Sequence, residues 1–132
     1  MIRRLFPIVA TLVVFAAPVR GENIENPIAV FAGLDKITAT ITTFEVPVNA
    51  TKQFGLLRIT PKVCYTRPPT ETPETTSFVV IDEVQLNGKI RKIFSGWMFA
   101  SSPGLNAVEH AVYDVWLTNC STSSGSTSSG SN

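Results

Sequence analysis

The only histidine of the chain, His110, follows Glu109 and is the first residue to consider for catalysis. A hydrolase needs a nucleophile beside an oriented base, or two carboxylates that face each other across a cleft. Asp82 and Asp114 could form such a pair with His110 if their strands were neighbours, and Glu83 is a further carboxylate. No serine lies in a G-x-S-x-G setting. The sequence therefore favours a non-catalytic protein, with a small hydrolase using Asp82, Asp114 and His110 as the alternative.

The two cysteines, Cys64 and Cys120, are the residues best suited to a covalent role. Their wide separation fits neither a C-x-x-C redox motif nor a zinc site. Two cysteines in an exported chain indicate a disulfide, because such bonds persist in oxidising compartments. We predict a Cys64–Cys120 bond, and two free buried thiols are the alternative.

The N-terminus has the order of residues that is typical of a secretory signal peptide. Arg3 and Arg4 precede an apolar run, Leu5–Ala17, and small residues follow as cleavage points. We predict a signal peptide over 1–21 and a periplasmic location. Association of the exported protein with the outer membrane would also be consistent with such a signal. An uncleaved anchor and a protein secreted to act outside the cell are alternatives. The run is shorter than the ~20 residues of a membrane span, so none is expected in the mature chain.

The charge of the chain is nearly balanced, with 11 basic and 10 acidic residues. A nucleic-acid-binding protein would carry a clustered basic face, so no nucleic-acid partner is expected. Glu71 and Glu74 could attract a cation, but two carboxylates on a loop are usually only solvated. Neither a metal site nor a cofactor is predicted.

Alternating β-branched and polar residues predict several strands. In Ile37–Val46, the side chains of Ile37, Ala39 and Ile41 would share one face of a half-buried strand. The apolar residues 28–34 fit either a short strand or one helical turn.

Phe54–Thr66 predicts one strand or two, with Pro61 marking a bulge or an edge position. Simple alternation puts Cys64 on the more polar face, so a disulfide at the rim of the fold is expected. The last strand, Ala111–Cys120, is apolar on both faces and is expected to be central. Its alternation groups Tyr113, Val115 and Leu117 on one face and Val112, Trp116 and Cys120 on the other.

The segment from Ser77 to Ala100 predicts a β-hairpin. Asn87-Gly88 separates two strand-like runs and suits a two-residue type I′ turn, in which both residues have positive φ. Counting outward from that turn pairs Leu86 with Lys89, Val84 with Arg91, Glu83 with Lys92 and Ile81 with Phe94.

These segments together predict an all-β fold. Short strands with Gly, Pro and Asn between them indicate a small single-domain sandwich or partly open barrel of about six to seven mostly antiparallel strands. The β domain would span 26–120. Residues 121–132, which are rich in Ser, Thr and Gly, would form a flexible tail.

Three stretches carry a resemblance to a known family: NPIAVFAGLDKITATITTFEVPV, PKVCYTRPPTETPETT and FVVIDEVQLNGKIRKIFSGWMFASSPGLNAVEHAVYDVWLTNC. Over about Asn26–Cys120 the chain resembles an exported alphaproteobacterial family catalogued as domain of unknown function 2155. The runs Cys64-Tyr-Thr-Arg-Pro-Pro and Ser95-Gly-Trp-Met-Phe-Ala are its most specific parts. Where the family usually has a proline after the histidine, this chain has Ala111. The resemblance implies an envelope location and no catalytic residues.

An envelope protein without a catalytic constellation is expected to hold a partner, either another envelope protein or a glycan. Trp97, Met98 and Phe99 are consecutive, so at least one of them points away from the others in a strand. Core packing of Trp97 is the favoured interpretation, and an exposed aromatic patch, which would mark a binding surface, is the alternative. The predicted surface combines the Pro-rich loop 67–76 with the connection 101–110. Its residues are Arg67, Pro68, Pro69, Trp97, Phe99 and His110.

Overall fold

The computed structural model describes residues 7, 10–14 and 23–123. Most of the predicted signal peptide over 1–21 and the predicted tail beyond residue 123 lie outside the described residues. Strands account for the regular structure of the described part of the chain, which contains no helix. Accordingly, the described residues form no helix that is long and apolar enough to cross a membrane.

Nine strands are formed by the described residues, and every strand pair is antiparallel. Six of them are long and three have only two or three residues. The strands are β1 (Ile24–Glu25), β2 (Ile28–Asp35), β3 (Thr40–Pro47), β4 (Lys52–Phe54), β5 (Leu57–Thr66), β6 (Thr76–Val84), β7 (Ile90–Phe99), β8 (Val108–Glu109) and β9 (Tyr113–Ser121).

The strands form two sheets. Sheet A has the order β1-β5-β6-β7, with β4 also paired to β5, and sheet B has the order β3-β2-β9-β8. Neither sheet closes on itself, so the molecule is a sandwich and not a closed barrel. The predicted all-β class and antiparallel architecture are confirmed, and the six long strands match the expected number.

One buried cluster lies between the sheets and holds them together. Sheet A contributes one face of β5, β6 and β7, and sheet B contributes side chains of β2, β3, β8 and β9. Burial of this apolar surface is the main favourable term in folding. Its largest fully buried side chains are Phe31, Leu57, Ile59, Ile81, Met98 and Leu117.

Strand β2 is buried along most of its length between β3 and β9, which decides between the strand and the helical turn for 28–34. The prediction for the next segment was wrong in detail. Residues 36–39 form the turn, because the Asp35 carboxylate accepts hydrogen bonds from the amides of Ile37 and Thr38 at 2.9 and 3.3 Å. Ile41 is 62% exposed, and the core instead takes Phe44 from the second half of β3.

Two β-bulges decide which way the cysteines face. The pairing of β5 with β6 shifts between Pro61 and Val63, and the pairing of β9 with β2 shifts where Thr118 is the extra residue. Each bulge reverses the alternation beyond it. Cys64 and Cys120 therefore turn inward, and the expected rim position of the disulfide was wrong.

The disulfide itself is confirmed. Cys64 of β5 and Cys120 of β9 have Cα atoms 5.9 Å apart, and they join sheet A to sheet B. Cys120 consequently lies on the same face as Val115 and Leu117, not with Trp116 as expected. Strand β9 is central only where β8 covers it, over Val115 and Asp114.

The β6–β7 hairpin forms, but with a different turn. Positive φ within this turn is confined to Gly88, and the amide of Gln85 donates to the carbonyl of Lys89. This is a three-residue loop and not the predicted type I′ turn. Near the turn, Glu83 therefore pairs with Arg91 instead of Lys92, and a further bulge restores the predicted partnership of Ile81 with Phe94.

Candidate binding surface

The outer face of sheet A carries a patch of aromatic side chains at the end where β5 finishes and β6 begins. Two rows of paired residues cross strands β5, β6 and β7 there. Tyr65, Thr76 and Phe99 form one row, and Val63, Phe78 and Trp97 form the next. We call Tyr65, Phe78, Trp97 and Phe99 the aromatic patch.

The rings of the patch contact one another. Trp97 stacks with Tyr65 at a centroid distance of 6.1 Å and an interplanar angle of 25°, and it forms a T-shaped contact with Phe78 at a centroid distance of 5.5 Å. Met98, the neighbour of Trp97, points the opposite way and is fully buried in the core. Trp97 is nevertheless 41% exposed, so it packs on the outside of the sheet, and the expectation of core packing does not apply.

The loop after β5 supplies charged groups beside the patch. The Arg67 guanidinium forms ion pairs with Glu74 at 3.1 Å and with Glu71 at 3.5 Å, which fold the loop back on itself. A groove of about 340 Å³ runs between these charges and the rings. It is lined by Tyr65, Arg67, Glu74, Thr76, Trp97 and Phe99, among others.

The two prolines of the predicted surface belong to the loop and do not line the groove. The Pro68 carbonyl accepts a hydrogen bond from the Glu71 amide at 3.0 Å, which closes a turn, and Pro69 is exposed. A larger groove of about 470 Å³ lies beside Cys64, but its lining contains no aromatic ring. The groove at the aromatic patch is therefore the better candidate for recognition.

His110 does not belong to this patch. Its ring contacts the Glu83 carboxylate through Nε2, and its Nδ1 accepts a hydrogen bond from the Val112 amide at 3.1 Å. Thr76 and Glu83 lie seven residues apart on β6, which corresponds to roughly 23 Å. The structure thus brings Arg67, Trp97 and Phe99 together and places His110 near the other end of the same strand.

The carboxylates considered for a hydrolase are also separated. Asp82 lies on β6 in sheet A and Asp114 on β9 in sheet B, so their strands are not neighbours. Asp114 forms an ion pair with Lys36 at 2.9 Å, and the same Lys36 ammonium donates to the His110 carbonyl at 2.8 Å. The histidine ring meets Glu83, a carboxylate that faces the opposite way from Asp82.

Sequence reasoning did not group Tyr65 and Phe78 with Trp97. The signal for Phe78 was available, because extending the predicted pairing of Ile81 with Phe94 by three residues places Phe78 opposite Trp97. Tyr65 could not be found in this way, since the bulge at Pro61 reverses the face on which it lies.

Comparison with known proteins identifies the family to which the chain belongs. Residues 29–120 match the family described as "Uncharacterized protein conserved in bacteria (DUF2155)". The chain belongs to the DUF2155 family. The DUF2155 match includes both cysteines and all four residues of the aromatic patch.

A relative of this DUF2155 protein is known from Rickettsia prowazekii (strain Madrid E). The "Uncharacterized protein RP359" is 28% identical over 87 residues, which cover 66% of this chain and 56% of the relative. The matched region thus spans little more than half the length of that protein. No solved structure matches the chain.

Proposed function

We propose that this DUF2155 protein is an exported, non-catalytic binding module of the cell envelope that holds its partner on the outer face of sheet A. The observation that carries the proposal is the exposure of Trp97 among stacked rings on the outer face of a β-sheet. Leaving such a ring in water forgoes favourable apolar burial, so clustered exposed aromatics mark contact surfaces.

The composition of the patch supports recognition of a partner. Trp, Tyr and Arg are the residue types that contribute most to binding free energy at protein surfaces. Here Trp97 and Tyr65 are held by neighbouring rings, and Arg67 is held by two carboxylates. A surface that is ordered before binding loses less conformational entropy when the partner arrives.

Two features support export to the periplasm. The segment 1–21 has the sequence pattern of a signal peptide, and the Cys64–Cys120 disulfide is a bond that persists in oxidising compartments. Subcellular fractionation followed by intact-mass measurement tests this part. We expect a mature chain that begins between Ala17 and Glu22 in the periplasmic fraction, and recovery of the full-length chain in the membrane pellet would contradict it.

Co-sedimentation with isolated cell envelopes tests the binding role. We expect the mature protein to sediment with envelopes and Trp97→Ala to lose most of this binding. Trp116→Ala is the matched control, because Trp116 lies on β9 in sheet B, away from the patch. Equal sedimentation of both variants and the wild type, or no sedimentation of any of them, would overturn the proposal.

A further inference from the structure

Strand β7 is the free edge of sheet A. It pairs with β6 on one side, and the described residues place no strand on its other side. The second side of β5, in contrast, is covered by β1 at one end and by β4 at the other. The run Ile93–Phe99 contains neither a charged residue nor a proline. An uncharged, apolar edge of this kind pairs readily with another strand, and natural proteins usually protect it.

Main-chain groups of β7 point away from the sheet at alternate residues. In an antiparallel pair, residues that exchange hydrogen bonds alternate with residues that do not. The Ala100 amide donates to the Thr75 carbonyl at 3.0 Å, and counting back from that pair turns the main-chain groups of Ser95, Trp97 and Phe99 to the free side. Within the described part of the chain, only the Phe99 carbonyl among these groups has a partner, an amide of the following loop. The other groups can bind the main chain of an added strand.

A groove of about 460 Å³ lies between β7 and the connection that follows it. It is lined by Ile93, Phe94, Gly104, Leu105, Ala107 and Val108. These residues have apolar side chains or none, so the polar groups that they can offer a ligand are main-chain amides and carbonyls. A groove with apolar walls and a main-chain edge suits an extended, largely apolar peptide.

Unpaired basic side chains lie at the start of β7. Lys89, Arg91 and Lys92 are exposed, and none of them forms an ion pair with another described residue. Of the two carboxylates opposite them on β6, that of Glu83 is in contact with His110. Antiparallel addition brings the C-terminal end of the partner segment to these cations, so acidic residues there would be complementary. A second copy of β7 would bring further cations and no carboxylate.

The free edge adjoins the aromatic patch. One face of the Trp97 ring is turned to Tyr65 across β6, so its other face is turned to the side on which β7 has no neighbour. Trp97 and Phe99 end the two rows that cross β5, β6 and β7. A strand added to β7 would extend both rows, and its side chains on that face would lie beside the two rings.

We infer that the partner held at the aromatic patch is a polypeptide, of which an extended, largely apolar segment adds to the free edge of β7 as an antiparallel strand with acidic residues at its C-terminal end. This inference rests on the proposed binding function and specifies the class of the partner and the mode of its binding.

A proline on the edge tests strand addition. Ser95→Pro removes an outward amide and leaves the bonds to β6, because proline is tolerated on an edge strand where the N–H faces solvent. We expect it to weaken co-sedimentation with isolated envelopes at least tenfold. Thr43→Pro is the matched control and should sediment normally. Thr43 lies on β3, the edge of sheet B, and the bond from the Val48 amide to the Pro27 carbonyl turns its amide outward by the same alternation.

Two measurements show that Ser95→Pro acts on the edge alone. Thermal melts should show that the fold is retained. In a Trp116→Phe background Trp97 is the only tryptophan of the chain, and its emission should be the same with Ser95 and with Ser95→Pro. A loss of envelope binding with unchanged emission is then due to the blocked edge and not to a displaced ring.

Charge and protease treatment test the nature of the partner. Lys92→Glu should weaken envelope binding about fivefold, whereas Lys62→Glu, an equally exposed reversal on β5, should not. Sonicated envelopes that have been digested with proteinase K and washed should no longer sediment the wild-type protein. This arm stands even where a variant fails to fold.

The outcomes distinguish this inference from the proposed function. If digested envelopes still bind, or if Ser95→Pro binds like Thr43→Pro while Trp97→Ala does not bind, strand addition fails and the proposed function stands. A dimer of the mature protein that Ser95→Pro dissociates would overturn the assignment in favour of a second copy. If envelope binding does not depend on Trp97, the proposed function fails as well.

Discussion

At the scale of single residues, the Cys64–Cys120 disulfide joins the two sheets from within the core. Both side chains are buried, and the bond links positions 56 residues apart in the sequence. Closing a loop of this length restricts the unfolded chain, and chain-entropy arithmetic gives about 4 kcal/mol of stabilisation. That is a large share of the 5–15 kcal/mol that is typical of a domain.

We expect Cys64→Ser and Cys120→Ser to lower the free energy of unfolding by similar amounts, up to about 4 kcal/mol. Each variant removes the same bond and leaves a small polar side chain in the core. Denaturant unfolding measures the loss, and a reduced wild-type sample is the control. Two reactive thiols in the unfolded, unreduced wild type would show that the bond does not form.

Gly33 is a second residue whose identity is fixed by its neighbours. A Cβ atom at this position would lie 2.6 Å from the ring of Phe54, a ring that also contacts Phe44 and Tyr113. We expect Gly33→Ala to destabilise the fold by about 1–3 kcal/mol through overpacking.

The matched control for Gly33→Ala is Gly96→Ala, another glycine within a strand. Its Cβ would lie 3.6 Å from Phe94, an ordinary contact distance, so thermal unfolding should change little. A second change, Phe54→Leu, should partly restore the stability of Gly33→Ala. Equal melting points for the two alanine variants would contradict the tight fit at Gly33.

At the scale of elements, the β6–β7 hairpin depends on Gly88. This residue has a φ of 80°, and a Cβ would meet nothing within 4 Å, so backbone conformation alone restricts the position. We expect Gly88→Val to cost about 1–3 kcal/mol, because a β-branched residue adopts positive φ poorly. Gly104→Val provides the control, since Gly104 also has open space around it but no positive φ. Equal denaturation midpoints would show that the turn tolerates a side chain.

The strands could be predicted from the sequence, but the face of the sheet on which each side chain lies could not. Alternation located β3, β5, β6, β7 and β9, and Asn87-Gly88 located the hairpin. The bulges are set by packing between the sheets and leave only weak local signals. Pro61 indicated one bulge, whereas nothing near Thr118 indicated the other, and for this reason Cys120 was placed on the wrong face.

At the scale of the whole molecule, Glu83 and His110 connect the two sheets at a distance from the disulfide. Glu83 lies on β6 in sheet A, and His110 precedes β9 in sheet B and stacks on Tyr113 at 5.7 Å. Both side chains are largely buried, at 19% and 16% exposure. The sandwich is thus joined by a covalent bond at one place and by a hydrogen-bonded pair at another.

We expect Glu83→Ala to lower the free energy of unfolding by about 1–3 kcal/mol, because the largely buried His110 nitrogen loses its partner. Asp82→Ala is the control, since the adjacent Asp82 points to the opposite face of β6. Thermal unfolding of the two variants measures the difference. Equal destabilisation by both changes would contradict a connecting role for Glu83.

The candidate site was only partly predictable for the same physical reason. Arg67, Trp97 and Phe99 were named from the sequence and do lie together, because three consecutive large apolar residues in a strand cannot all point to one face. His110 was included because it lies in the connection 101–110, yet the fold directs its ring to Glu83. Tyr65 contacts Trp97 only because β5 and β7 flank β6. No local sequence pattern predicts that strand order.

The most direct test of the binding role is photo-crosslinking in living cells, with benzoylphenylalanine placed at position 97 or at position 116. Position 97 lies in the aromatic patch on sheet A, and position 116 lies on sheet B. If the outer face of sheet A holds the partner, position 97 gives a discrete crosslinked product in the envelope fraction and position 116 gives none. Crosslinking from position 116 alone, or from neither position in a folded and exported protein, would contradict the proposal.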